Sequence, residues 1–322
     1  MLGLKKSKRR MNMIIKEHTI RYIISTPNER ERISDFGEVF LPNDLIVEGV
    51  ITDERKFIMQ IEDILIDHKL KARDLYFCVP DASAIIRHHS LPDQINWDEI
   101  KGYLYSQLGE TVHLPFEAPV FDFVKLGMAD GEKHILFVAY PEERLEQLRS
   151  SFKEAKLIPK AADLSSLSTY RFYEEQNEVS EGEHNLMVEW NADGIMLTFF
   201  HDGIPQFSRQ MKSTLDRNGW KVRSEGEKTW VRWEGELDSL RNYVREQLKE
   251  ITKILSFYKF SVKEGEADIS KVILSGDWCY RKELEEQLED FLKIPVQWMK
   301  LSGLNVELPN HFVDAVGLSY KK

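Results

Sequence analysis

The 322-residue chain has only two cysteines, no apolar run approaching a membrane span, and no excess of positive charge. Cys78 sits inside the apolar stretch LYFCV and Cys279 follows a Gly-Asp pair, so there is no disulfide framework and no Cys/His cluster at metal-ligand spacing. No structural metal is expected. No segment reaches the roughly 20 apolar residues that cross a bilayer, and the first 15 residues lack the apolar segment of a secretory signal. The expected location is cytoplasmic. A net charge of −10 excludes a general nucleic-acid binder, whose affinity rests on neutralising phosphates. The only dense basic run is Lys5, Lys6, Lys8, Arg9 and Arg10. It reads as a solvated tail, or as an auxiliary contact to an anionic membrane face.

What is present is a globular composition, 42% hydrophobic and 30% charged, in a chain about twice a typical single-domain length. The stretch 186–211 (LMVEWNADGIMLTFFHDGIPQFSRQM) reads as three strands, 186–190, 195–200 and 204–210, joined by tight Asp-Gly turns. A helix over 237–259 follows, with Leu240, Val244, Leu248, Ile251 and Leu255 on one stripe, and then a buried strand over 271–275. The first half carries the same order: strands at 12–15, 19–25 and around 36–41, a helix over 53–67 and a buried strand over 75–79. A helix between two buried strands implies a parallel pairing. The predicted fold is therefore a duplicated α/β core of two βββαβ halves.

Between the halves, 81–162 reads as a small α/β insert, with strands at 84–89, 120–126 and 134–139 and helices over 97–108 and 142–155. Residues 1–80 form the first half, with 155–185 connecting back; 186–322 form the second, with a short, partly ordered insert at 213–236. Trp220, Trp230 and Trp233 in that second insert form either a recognition patch or its small core. His88 and His89 fall on opposite strand faces and cannot share a metal. Ser165, Ser166, Ser168 and Thr169 fit a helix start capped by Asp163 better than a nucleophile patch. Glu142-Glu143, Glu285-Glu286 and Glu289-Asp290 read as solvated helix faces rather than acid–base pairs.

Several stretches together resemble the PilM family of type IV pilus assembly proteins, akin to the cell-division protein FtsA and built on the actin-like ATPase (ribonuclease H-like) fold. They are MLGLKKSKRR, LYFCVPDASAIIRHHSLP, HLPFEAPVFDF, HILFVAYPEERLEQLRSSFKEAKLIPKAADLSSLSTYRFY, LKEITKILSFYKF, KVILSGDW and KIPVQW, spread over about residues 1–300. In that fold two hairpin turns hold the phosphates with backbone N–H groups beside glycines, and an Asp in each organises metal and water. The resemblance puts Ile14 where the first Asp would stand and Lys16 where the Gly would be, with the Glu17 side chain pointing toward the phosphate space. In the second turn Glu189 holds the Asp position and Asn191 the Gly position. The adenosine motif reads Ser275-Gly276-Asp277-Trp278, one glycine kept and the next replaced by a carboxylate. Asp193, Asp277 and Glu17 would each repel a polyphosphate by about 3 kcal/mol at ~5 Å and an effective dielectric of ~20.

The resemblance implies a cytoplasmic adaptor, recruited to the inner face of the cell membrane, that captures the N-terminal cytoplasmic tail of a bitopic PilN-like protein. It also implies contact with the assembly motor ATPase, and self-association. With the phosphate motifs altered, no catalysis and no cofactor are expected. The peptide groove is expected between the 81–162 insert and the first-half core. The alternatives are an ATPase that binds Mg·ATP through rearranged motifs, and an FtsA-like filament former. Against the last, 316–322 offers no amphipathic anchor helix.

Overall fold

The computed structural model describes residues 9–26, 29–67, 69, 74–176, 179–225 and 228–322. Lys5, Lys6 and Lys8 of the basic run lie outside the described residues. Strands β1 (Arg10–Ile15), β2 (Thr19–Thr26) and β3 (Glu29–Phe40) form an antiparallel meander; a small hairpin of β4 (Ile46–Val47) and β5 (Val50–Ile51) leads to helix α1 (Glu54–Asp67) and strand β6 (Asp74–Cys78). An insert follows, with β7 (Ile85–Pro92), α2 (Ile100–Gln107), β8 (Pro119–Ala129) and β9 (Glu132–Pro141). Helix α3 (Glu142–Glu154) and strand β10 (Ile158–Asp163) return to the first sheet, whose order is β10-β6-β1-β2-β3. Of the span 81–162, residues 85–141 build the separate three-stranded sheet β7-β9-β8. Leu148 and Phe152 of α3 instead pack with Phe57 and Ile61 of α1 in the first-half core.

Helix α4 (Ser165–Gln176) leads to the second half: β11 (His184–Asn191), β12 (Gly194–His201), β13 (Ile204–Lys212), the hairpin β14 (Trp220–Glu225) and β15 (Lys228–Trp233), α5 (Leu237–Phe257), β16 (Ile269–Ser275), α6 (Arg281–Leu292) and β17 (Val296–Trp298). The second sheet runs β13-β12-β11-β16-β17, the same connectivity as the first, with β11 parallel to β16 as β1 is to β6. The duplicated actin-like core is present. The 213–236 insert, expected to be only partly ordered, contains a hairpin with Trp233 in the second-half core.

One face of each sheet is covered by its own helices, α1 with α3 and α5 with α6. The opposite faces share a central layer in which α4 packs against helix α7 (Val313–Ser319). There Ile14, Ile23 and Cys78 of the first sheet meet Met187, Phe200 and Ile273 of the second through Tyr170, Phe172, Phe312 and Val316. The helices meet closely at Gly317, where any Cβ would overlap the Ser168 carbonyl oxygen. Arg10, expected in a solvated tail, is buried instead: its guanidinium donates to Ser319 O at 2.6 Å and Lys321 O at 3.0 Å and lies 3.9 Å from the Tyr76 ring centroid. Those carbonyls close the end of α7, where a cation is favoured by the helix dipole.

Candidate functional site

The two hairpin turns and the turn after β16 converge in the cleft between the halves. In the first, Lys16 N donates to Thr19 O at 2.9 Å, closing a four-residue turn that carries Lys16, Glu17 and His18. In the second, Asn191 pairs with Gly194 across a two-residue turn of Ala192 and Asp193. In the third, Gly276 adopts φ +105° and a Cβ there would overlap the Trp190 carbonyl oxygen, so the position requires glycine; Trp278 N donates to that oxygen at 3.2 Å.

These turns are tied to each other by side chains. His18 lies between two carboxylates of the second half, with Nδ1 3.1 Å from Asp193 Oδ2 and Nε2 2.7 Å from Asp277 Oδ2. Burial alone would lower the imidazole pKa, but Asp277 and Asp193 outweigh it and raise it to about 10. His18 is therefore a cation at neutral pH, a member of the site that the turn sequence KEHT does not single out. Arg21, fully buried in β2, donates to Glu38 at 2.7 Å, to Asp277 at 2.5 Å and to Asp314 of α7 at 2.8 Å. Burial opposes ionisation of Asp277, yet His18 and Arg21 hold its carboxyl far below the usual range. Glu38 is held at about 2, against the cost of its burial, by Arg21 and by His311, whose Nε2 lies 2.9 Å away.

A second cluster sits beside the start of α4. Lys16 Nζ donates to Ser165 Oγ at 3.3 Å; that hydroxyl also contacts Asp81 and lies 3.2 Å from both Glu189 oxygens, one of which accepts from Thr169 Oγ1. Burial would lower the Lys16 pKa, but Glu189 and Asp81 raise it, so the ammonium is retained. Burial pushes the Glu189 carboxyl up to about 7 against the pull of Lys16, and raises that of Asp81 as well. Asp163 was expected to cap α4; Asp81 takes that place, accepting from Ser165 N at 3.1 Å. Asp163 pairs instead with Arg171 at 2.9 Å and Lys321 at 3.1 Å.

The sequence-predicted positions separate accordingly. Ile14 points into the central apolar layer and offers no ligand to the cleft. Lys16, Glu189, Asn191, Ser275, Gly276 and Asp277 all lie at or beside the cleft; Asn191 Oδ1 accepts from Asp277 N at 3.3 Å, and Ser275 Oγ is buried without a hydrogen-bond partner among the described residues. Glu17 borders the space between the turns, but its carboxylate is engaged at the rim, where it contacts Arg217 and accepts from Gly49 N at 3.2 Å. Arg217 also donates to Asn43 O at 2.7 Å, and Lys212 pairs with Glu48 at 2.5 Å on the same rim. The cavity between the phosphate turns, lined by Lys16, Glu17, Asp81, Asn191 and Asp193, has a volume of about 30 Å³. That is room for about one water, against the 300–1,000 Å³ of a ligand pocket. A cavity of about 360 Å³ lies on the far side of Asp277, walled by Trp230, Arg232, Trp278, Arg281 and His311. Among the described residues no group of three or more His, Cys, Asp or Glu side chains could hold a metal, and no helix is long and apolar enough to cross a membrane.

No family model matches the chain, and no curated protein matches it. Among solved structures it is similar to a chain of the PilM–PilN type IV pilus biogenesis complex, at 14% identity over 97% of this chain and 98% of that one, with a TM-score of 0.78. It is similar at 8% identity to a Bacteroides thetaiotaomicron protein of actin-like ATPase fold and unknown function, over 100% and 99% of the two chains, TM-score 0.53. ADP-bound MreB5 of Spiroplasma citri matches at 9% identity over 97% and 95%, TM-score 0.51. The shared connectivity of the two sheets, the central helix pair and these likenesses establish that the chain has the actin-like ATPase fold.

Proposed function

We propose that this protein is a non-catalytic adaptor of a type IV pilus-like assembly platform, binding the short cytoplasmic tail of a PilN-like bitopic membrane protein and recruited through it to the membrane. The observation that carries this reading is the likeness to the PilM–PilN complex over nearly the whole of both chains, insert included. The cleft supports the non-catalytic part. Its phosphate turns are occupied by the chain's own ion pairs, the space between them is about 30 Å³, and Asp193 and Asp277 carry negative charge where phosphates would lie.

The insert supports the binding part. Strand β8 is an edge of the β7-β9-β8 sheet, and its outer edge has no strand partner among the described residues. Val120 and Val124 are 37% and 57% exposed, and they pair with Tyr140 and Leu136, which pack into the first-half core. Residues paired across strands share a face. An exposed apolar margin therefore borders the junction between insert and core, where an added strand would find main-chain partners and side-chain contacts. The test is fluorescence anisotropy with a labelled peptide of the cytoplasmic N-terminal tail of a PilN-like bitopic protein from the same organism. Saturable binding, weakened at least tenfold by Val124→Lys, is expected. Binding unchanged by Val120→Lys and Val124→Lys would move the groove elsewhere, and no binding at hundreds of micromolar would overturn the adaptor reading.

A further inference from the structure

We propose that His18, with Arg21 and the rim residue Arg217, forms a built-in tie across the cleft, so that the two halves are held closed by the chain's own side chains without any bound ligand. Each of these cations originates in one half and engages a carboxylate or carbonyl of the other. His18 leaves the β1–β2 turn and meets Asp193 and Asp277 of the second half at 3.1 and 2.7 Å. Arg21, on β2, reaches Asp277 at 2.5 Å while anchored on its own side by Glu38 at 2.7 Å. Arg217 runs the other way, from the second half to Glu17 and to Asn43 O at 2.7 Å. The backbone joins in: Glu17 N donates across the cleft to Asp193 Oδ2 at 3.2 Å.

The inner pairs are shielded from water. Arg21 is fully buried, and the His18 and Asp277 side chains are 15% and 5% exposed. Hydrogen-bonded charges in such a place make a directional tie, because opening the cleft breaks several charge-assisted hydrogen bonds at once. Asp277 is the hub. It accepts from His18, from Arg21 and from Ala192 N at 2.9 Å, so it fixes both second-half turns at once. In this arrangement the carboxylate after Gly276 works as the fastening point of the closed cleft. The tie rests on the geometry of these pairs and does not require the adaptor reading.

Hydrogen exchange read by mass spectrometry on the full chain tests it. In the wild type without nucleotide, peptides covering residues 15–19 and 191–194 are expected to be protected. In His18→Gln their exchange rises at least tenfold at labelling times short enough that peptides from β12 and α5 remain unexchanged in both proteins. Arg217→Ala, at a rim position 40% exposed, keeps the fold and gives a smaller rise confined to residues 15–19 and 43–49. Exchange of the two turns in both variants within twofold of wild type would overturn the tie. So would a wild type whose turns exchange freely until millimolar Mg·ATP is added.

Discussion

Three cations at the cleft, Lys16, His18 and Arg21, face the carboxylates of Asp81, Glu189, Asp193, Asp277 and Asp314, and the balance among them fixes how this site responds to pH. The folded pKa of His18 is raised to about 10, so its stabilising contribution is complete below the ordinary imidazole pKa near 6.5 and is lost as pH rises through about 10. Urea unfolding from pH 8 to 10 is expected to show a decline in the wild type that His18→Gln lacks, with the variant less stable by roughly 3–5 kcal/mol at pH 6.5. Glu189 has the other sign. Its folded pKa of about 7 lies above the usual carboxyl value, so stability present at low pH is lost as pH rises from about 4.5 to about 7. Glu189→Gln should remove that decline in urea unfolding over that range. Gly276→Ala is expected to cost at least 3 kcal/mol in thermal or urea unfolding, since its φ of +105° and the Trp190 carbonyl leave no place for a methyl group.

At the scale of elements, α4 and α7 make the two sheets one body. Gly317→Ala forces these helices apart at Ser168 O, and it is expected to lower the melting temperature by about 4 °C or more, the shift of a loss of at least 3 kcal/mol in a chain of this size. Trp233 is 4% exposed in the second-half core, with Trp220 against it at 5.5 Å, whereas Trp230 faces the 360 Å³ cavity. Trp233→Ala should therefore cost roughly 3–5 kcal/mol of stability, and Trp230→Ala under 1 kcal/mol, in urea titration. The repeat of three strands, helix and buried strand was legible because alternation and helical spacing record burial directly. The α7 helix was not: seven residues, all buried, show no solvent-facing side from which a period can be read. The site was legible only in part for a related reason. Turn residues announce turns, but Arg21 inside TIRYIIST and Asp314 inside VDAVGLS give a bare hint, a charge within an apolar element, and their mutual contact joins residues nearly 300 positions apart. The engagement of Glu17 was not legible because its partner Arg217 lies in the other half of the chain.

At the scale of the whole molecule, an actin-like fold is retained while the space between its first two turns is narrowed by the chain's own side chains. The shared central layer and the ion pairs above it leave about 30 Å³ between the phosphate turns, and the exposed apolar margin of β8 lies away from that cleft, on the insert. The proposed adaptor function would rest on surfaces, with the cleft serving to hold those surfaces in one arrangement. Isothermal titration of the full chain with Mg·ATP at millimolar concentration, at pH 7 and 25 °C, measures this most directly. No saturable heat is predicted. A saturable isotherm with a dissociation constant in the micromolar range would contradict the account.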